Sequence, residues 1–322
     1  MSEPRGAGGT DGVPGEGAGG GARLADPRVI AEAAHLNLRA RILADSILHG
    51  MHRSRHHGSS VEFADHKEYS PGDNVRHLDW RAYARFDRDY VKRFEDEAHL
   101  RALLLVDTSG SMGYAGAPGA ETTSKLALAQ ACAGALAYVL ARQGDACGLA
   151  TFDAKLEVHV PARARRGQVQ ELLSRLDALR PRGTTSLARA LDQLAEGVLR
   201  RHIIVIFSDL LDAGDGAVDA IAKLGARGHD VVMFHTLHAD ELEFPFEDQT
   251  LFVSMEDDRE VPIDARSIRD AYLDELKRFL ARVEDTALAA RVEYRRVRSD
   301  ADPSVELVEF LTRRASQRGS AR

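Results

Sequence analysis

Short apolar runs alternate with stripes of apolar residues at helical spacing from about residue 100 onward. The runs lie at residues 103–106, 148–152, 203–207 and 231–234. We interpret them as strands because they are only four or five residues long and are mostly apolar. Between them, residues 187–198 repeat apolar side chains at intervals of three and four, which is typical of a helix packed on a sheet. The alternation predicts an α/β fold with a doubly wound, mostly parallel sheet and helices on both faces.

Composition divides the 322-residue chain into four parts. Residues 1–26 are rich in glycine, so we expect a disordered, flexible tail. Residues 27–99 are expected to form an N-terminal helix, over 27–49, and a small β-containing addition. Residues 100–314 carry the alternation of strands and helices and form the main domain. We expect residues 315–322 to be a flexible C-terminal tail.

Oxygen-bearing side chains follow two of the apolar runs. Asp107, Ser109 and Ser111 come directly after the first run, and Asp209 follows the third run. A turn that leaves a strand can aim residues i, i+2 and i+4 at one point. Ligands bind at the carboxyl ends of the strands in open parallel sheets, so we expect these side chains to meet at that edge.

A threonine from another segment completes the predicted site. The turn Arg182-Gly183-Thr184-Thr185 precedes a strongly patterned helix, and either threonine could face the site while the other caps the helix. We favour Thr184 because it directly follows Gly183. Mg²⁺ prefers hydroxyl and carboxylate ligands of this kind, and Mn²⁺ or Ca²⁺ are alternatives. Two aspartates balance a divalent charge, so the ion stays electrophilic toward an incoming carboxylate.

Other interpretations of these residues are open. Asp107 and the serines could cap the next element, since Asp and Ser bond nearby amides in turns. A phosphatase of the haloacid dehalogenase type needs a second aspartate at the position of Ser109, and a serine hydrolase elbow centred on Ser111 needs a glycine there. Neither catalytic template fits. We therefore expect no enzyme activity, with a metal-dependent hydrolase or phosphotransferase as the alternative.

Charge and cysteine content restrict the environment and the partners. The formal net charge is −7, which disfavours nonspecific nucleic-acid binding because that needs concentrated positive charge. Cys132 and Cys147 lie in apolar segments and are expected to be buried thiols. No segment reaches the roughly 20 apolar residues that span a bilayer. We expect a cytoplasmic protein with neither a transmembrane segment nor a nucleic-acid partner.

Two further segments allow more than one interpretation. His52, His56 and His57 could bind zinc, but a solvated surface is favoured because no cysteine joins them. Trp80 is interpreted as a packing anchor. The Phe-Pro-Phe sequence at 244–246 could be a hook for a partner, and we favour a loop that closes over the core.

Short motifs along most of the chain carry a family resemblance. They are Glu62-Phe63, Tyr69-Ser70-Pro71-Gly72-Asp73, Arg76, Asp79-Trp80, Ala84-Arg85, Val91-Lys92-Arg93-Phe94, Glu97, Asp107-Thr108-Ser109-Gly110-Ser111-Met112 and Glu241-Leu242-Glu243-Phe244-Pro245-Phe246. Together they resemble the bacterial family called domain of unknown function 58 (DUF58), over about residues 45–313. The site also resembles the metal-ion-dependent adhesion site of von Willebrand factor type A domains. The matching residues are Asp107, Ser109, Ser111, Thr184 and Asp209.

The resemblance implies a von Willebrand factor type A-like fold that binds proteins. It also implies that the protein acts together with a MoxR-type AAA+ ATPase in protein maturation or complex assembly. On that analogy, the metal binds an acidic side chain of the partner. His238 departs from the aspartate that is frequent in relatives, so no role of that carboxylate is carried over. We expect a Mg²⁺-dependent interaction adapter, with a purely structural, metal-stabilised module as a further alternative.

Overall fold

The computed structural model describes residues 36–57, 66–68, 90–92, 100–116, 120, 123–198, 200–211, 215–257 and 259–320. The predicted tail 1–26, Trp80 and most of the predicted β-containing addition lie outside these residues. Only the backbone is described for the three histidines of the zinc alternative. Within the described ranges, no group of three or more His, Cys, Asp or Glu side chains is placed to hold a metal ion. No helix in them is long and apolar enough to cross a membrane.

Ten strands form three sheets in the described part of the chain. The strands are β1 (His66–Glu68), β2 (Tyr90–Lys92), β3 (Arg101–Asp107), β4 (Ala146–Phe152), β5 (Leu156–Arg163), β6 (Ile203–Ser208), β7 (Asp230–Leu237), β8 (Gln249–Val253), β9 (Glu260–Asp264) and β10 (Glu293–Arg298). Six of them form the central sheet in the order β10-β7-β6-β3-β4-β5. Neighbours in this sheet are parallel, except that β5 runs antiparallel to β4. The pairs β1–β2 and β8–β9 are separate antiparallel hairpins.

Helices cover both faces of the central sheet. They are α1 (Leu36–His57), α2 (Lys125–Arg142), α3 (Gln168–Asp177), α4 (Leu187–Gly197), α5 (Asp215–Ala226), α6 (Ala239–Glu243), α7 (Ala265–Ala289) and α8 (Ser304–Ser320). The apolar layer on one face comes from α1, α2, α3 and α8. On the other face it comes from α4, α5 and α7. The continuous apolar runs of the sequence are explained by this double cover, because parallel strands buried on both faces lose the alternation of half-exposed strands.

The first helix is part of the main apolar layer. Leu43 and Ile47 are fully buried, and each contributes about 1.5 to 3 kcal/mol by burial. Close contact with α2 is possible because Gly134 has no side chain; a Cβ there would lie 2.7 Å from Cβ of Ala40. The helix within the predicted 27–99 region therefore packs as an integral layer of the sheet domain.

The structure differs from the sequence-based expectation in two segments. The alternation of apolar runs and helical stripes predicts no regular element over residues 237–262, but they contain α6 and most of the β8–β9 hairpin. Pro262 lies in β9, and proline in a sequence argues against a strand unless the strand is at an edge. The last helix, α8, runs to Ser320 rather than ending near residue 314, because residues 315–318 contain no helix-breaking Gly or Pro.

Two other expectations concern buried side chains. Cys132 and Cys147 are free and buried, as predicted. Phe244 is also buried, in contact with Phe252 and Tyr272 at ring-centroid distances of 5.8 and 4.5 Å. Phe244 and Phe246 thus belong to an aromatic cluster with Phe252 and Tyr272.

Candidate metal centre

The predicted site lies where the chain reverses its order in the central sheet. Strands β3 and β6 are neighbours, but β3 continues to β4 on one side and β6 continues to β7 on the other. Asp107 ends β3, and Asp209 directly follows β6. Loops that diverge at such a switch point leave a crevice at the strand ends, which is where open α/β sheets bind ligands.

Asp107 is fully buried, and both of its carboxylate oxygens accept hydrogen bonds. The backbone amide of Ser109 donates to Oδ1 at 2.9 Å, and Oγ of Ser208 donates to Oδ2 at 2.6 Å. Burial, followed by the charge of Asp209, raises the pKa of Asp107 to about 7. Each carboxylate oxygen has two lone pairs, so acceptor capacity remains on both atoms. A buried carboxylate of this kind is stabilised in its charged form by a nearby cation.

The two serines and the threonine turn are held beside this carboxylate. Oγ of Ser109 and Oγ of Ser111 lie 3.1 Å apart, and both residues are buried. The amide of Gly110 donates to the carbonyl oxygen of Gly183 at 2.9 Å. The amide of Arg182 donates in turn to the carbonyl oxygen of Thr108 at 2.8 Å. These backbone bonds join the turn before α4 to the loop after β3.

The threonine side chains differ in burial. Thr184, which the sequence favoured as the ligand, is exposed, and Thr185 is partly buried. Oγ1 of Thr185 is buried and has no hydrogen-bond partner among the described residues. A buried hydroxyl without a partner costs about 1 to 3 kcal/mol, so a bound polar ligand is the natural explanation. The unpartnered hydroxyl makes Thr185 a candidate ligand beside Thr184.

Lys125 is a residue of the site that the sequence reasoning missed. Its Nζ donates to Oδ2 of Asp209 at 2.7 Å and to Oε1 of Glu241 at 2.6 Å. Burial alone would lower the pKa of Lys125, but the charges of Asp209 and Glu241 outweigh it and raise the pKa. The sequence contained one signal for Lys125: it begins a helix that has no other charged residue before Arg142.

Glu241 links the site to the short helix α6. Its Oε2 accepts a hydrogen bond from the amide of His238 at 2.7 Å, while Nδ1 of His238 accepts one from the amide of Asp240 at 3.1 Å. These reciprocal bonds form a capping box. His238 thus has a structural role as the helix cap.

His235 is hydrogen-bonded to the backbone of Asp209. Nε2 of His235 donates to the carbonyl oxygen of Asp209 at 2.8 Å, and Nδ1 accepts from the hydroxyl of Tyr294 at 2.7 Å. Burial lowers the pKa of His235 to about 4, so the ring is neutral near pH 7. The sequence reasoning also missed this contact, because His235 lies inside a buried strand.

The donor set fits a divalent cation that prefers oxygen. Asp107, Ser109 and Ser111 are linked by hydrogen bonds, Asp209 lies near enough for its charge to act on Asp107, and the hydroxyl of Thr185 has unused bonding capacity. Carboxylate and hydroxyl oxygens suit Mg²⁺, Mn²⁺ or Ca²⁺ better than softer metals.

The reversed edge strand, the strand order and the loops at the switch point define a von Willebrand factor type A-like α/β fold. The chain belongs to the family described as "Protein of unknown function DUF58", whose model matches residues 65–281. The resemblance noted from the sequence motifs is therefore confirmed.

Individual proteins with similarity to the chain include a mycobacterial relative and two solved structures. The chain is 28% identical to "Uncharacterized protein Rv1480" of Mycobacterium tuberculosis over 297 residues, which cover 90% of each chain. An aerotolerance-related membrane protein from Bacteroides fragilis matches 66% of this chain and 97% of its own, at 17% identity and a TM-score of 0.46. BatB from Bacteroides thetaiotaomicron matches 69% of this chain and 99% of its own, at 15% identity and a TM-score of 0.44.

Proposed function

We propose that this protein is a divalent-cation-dependent protein-binding module, in which an ion at the sheet edge holds an acidic side chain of a partner. The observation that carries the proposal is the meeting of two buried aspartates and two serine hydroxyls at the switch point, beside the turn that bears the unpartnered hydroxyl of Thr185. Mg²⁺ is the proposed ion, with Mn²⁺ or Ca²⁺ as alternatives. When bound, the ion supplies positive charge and an open coordination position for an oxygen ligand.

The surrounding residues support binding in preference to catalysis. Glu241 is a further carboxylate next to the proposed ligands, but its two oxygens accept hydrogen bonds from Lys125 and from the amide of His238. A general base must be able to reach and accept a proton from the attacking group. These contacts give Glu241 a structural role, as the partner of Lys125 and as part of the capping box of α6, so we place the protein among adapters and keep the hydrolase or phosphotransferase as the alternative.

A MoxR-type AAA+ ATPase is the first partner to test, on the basis of the family resemblance. In this proposal the two proteins meet in the cytoplasm, where the adapter recognises an acidic side chain and the ATPase supplies the energy for protein maturation or complex assembly. The proposal includes no nucleic-acid partner, because a net charge of −7 disfavours nonspecific binding to phosphate groups.

The test is retention of a purified MoxR-type ATPase from the same genome on the immobilised full chain. Wild type should retain the ATPase, and Asp107→Ala should retain at least about tenfold less, because the ion loses a charged ligand. Asp285→Ala is the matched control, since this carboxylate is exposed on α7. Asp107→Ala is a sharper test than a chelator, because a chelator would also remove the Mg²⁺ that the ATPase itself needs.

Two results would contradict the proposal. If folded Asp107→Ala retains as much ATPase as wild type, the ion has no role in binding. If metal raises the thermal stability of wild type and retention does not depend on Asp107, the ion is structural. Circular dichroism spectra of the variants provide the check on folding.

A further inference from the structure

A cavity of about 620 Å³ opens beside the metal centre, and Ser111 and Lys125 form part of its lining. Four large apolar side chains that also line it are 45–57% exposed. They are Leu211, Leu251, Val253 and Met255. Clustered apolar exposure of this kind marks interaction surfaces, especially where a concave site also offers polar groups.

Most of this apolar rim belongs to the β8–β9 hairpin, which is fixed against the loop after β3. A Cβ atom on Gly110 would overlap the carbonyl oxygen of Met255, so the backbones of the two segments are in direct contact there. The turn of the hairpin is closed by the amide of Ser254, which donates to the carbonyl oxygen of Arg259 at 2.9 Å. The apolar rim and the metal ligands therefore have a defined relative position.

Aromatic side chains also line the cavity, and they are packed in advance of any ligand. Phe252 stacks on Phe244, and Tyr272 lies against the same ring. The hydroxyl of Tyr272 donates to the carbonyl oxygen of Glu241 at 2.9 Å, which ties the aromatic cluster to α6. A preorganised apolar pocket binds an apolar side chain with a smaller ordering cost than a flexible one.

Charged residues in the lining restrict the chemistry of the occupant. Asp240, Glu241 and Glu256 line the cavity together with the cations Lys125 and Arg259, so carboxylates are in excess, and Asp240 accepts a hydrogen bond from the hydroxyl of Tyr114 at 2.8 Å. A ligand with several acidic residues would meet repulsion from this excess of carboxylates. A single carboxylate placed on the ion, followed by apolar side chains, avoids that repulsion.

We propose that the cavity is a specificity pocket for a protein segment that carries one Asp or Glu with a bulky apolar residue close by in sequence. This deepens the proposed function and rests on it: the acidic side chain binds the ion, and the apolar side chain enters the cavity against Leu251 and Val253. A cavity of 620 Å³ is on the order of 10 Å across, which an extended chain spans in about three residues. The acidic and apolar residues are therefore expected within about four positions of each other.

The probe is a phage library of random dodecapeptides, selected on the full chain in Mg²⁺. Selection on wild type should enrich peptides with an acidic residue and a bulky apolar residue within about four positions. The strongest of them, made synthetically with a fluorescent label, is then titrated by fluorescence polarisation. We expect Leu251→Ser/Val253→Ser to weaken its binding at least about tenfold, because both side chains lose apolar contact.

The matched control is Leu288→Ser, which removes a 77% exposed apolar side chain on α7 outside the cavity. Its affinity should stay within about twofold of wild type. The inference is overturned if the folded hairpin variant binds the peptide as tightly as wild type does. It is also overturned if the selection enriches acidic peptides that have no apolar residue, or if it yields no binders. If the enriched peptides bind equally to Asp107→Ala and in chelator, the proposed function itself fails. These outcomes separate failure of the pocket from failure of the metal site.

Discussion

At the scale of single residues, the charge balance of the site depends on Lys125. Asp107, Asp209 and Glu241 bring three carboxylates to one edge of the sheet, and the buried ammonium group pairs with two of them. Buried charges persist only when they are paired and hydrogen-bonded. Lys125 thus stabilises Asp209 while also reducing the negative charge that Asp209 offers to a metal ion.

Lys125→Met should lower the free energy of unfolding by about 3 to 5 kcal/mol in chelator, because it leaves buried carboxylates without a counter-charge. Saturating Mg²⁺ should restore more stability to this variant than it adds to wild type. Urea unfolding followed by circular dichroism measures both effects. Lys223→Met is the control, because Lys223 is exposed in its contact with Asp192 and its loss should cost no more than about 0.5 kcal/mol. Equal Mg²⁺ effects in variant and wild type would contradict this account.

Replacing threonine by valine keeps the shape of the side chain and removes the hydroxyl. We expect this substitution to change metal affinity at Thr185 and not at Thr184. Thr185→Val should weaken Mn²⁺ binding about tenfold or more in isothermal titration calorimetry, and Thr184→Val should leave it unchanged. In chelator, Thr185→Val should be at least as stable as wild type, because the hydroxyl that it removes is buried without a partner in the described part of the chain. The reverse order of metal affinities would restore Thr184 as the ligand.

At the scale of elements, the β8–β9 hairpin is among the parts of the described fold that sequence patterns did not predict. Strand ends are predictable because parallel strands place their carboxyl ends at one edge, so Asp107 and Asp209 could be matched from local sequence. The hairpin instead exposes Leu251 and Val253 and includes Pro262, contrary to the usual rules for strands. The ion pairs of Lys125 and the burial of the Thr185 hydroxyl depend on contacts between distant segments, which the local sequence does not contain.

The contact between the hairpin and the loop after β3 can be tested with Gly110→Ala. The added methyl group overlaps the carbonyl oxygen of Met255, so we expect a loss of about 1 to 3 kcal/mol and faster hydrogen exchange in β8 and β9. Gly197→Ala is the control, because nothing lies within 4 Å of a Cβ at that helical position. It should be neutral or stabilise by up to about 1 kcal/mol. Unchanged exchange in Gly110→Ala would show that the hairpin is not held by this contact.

At the scale of the whole molecule, α1 and α8 join the layer of α2 although they lie at opposite ends of the chain. Ala40 meets Gly134 of α2, and Val308 of α8 lies against Gly50 of α1. Helices from the two ends therefore pack on the same face of the sheet. We expect this face to unfold as one unit with the sheet.

Leu43→Ala in α1 should cost about 2 to 5 kcal/mol, because it creates a cavity in the layer that α1 shares with α2. Leu38→Ala is the control on the same helix, since that side chain is 50% exposed, and it should cost about 0.5 kcal/mol or less. Urea unfolding followed by circular dichroism should show a single transition for wild type and both variants. A separate early transition in Leu43→Ala would mean that α1 is an independent unit.

The hairpin has a further consequence because it lies outside the central sheet. Leu251 and Val253 are more than half exposed, so they can be exchanged without altering the proposed ligands of the ion. Under the proposed function, changes in a few hairpin codons would alter the partner that is recognised and leave the proposed cation ligands unchanged.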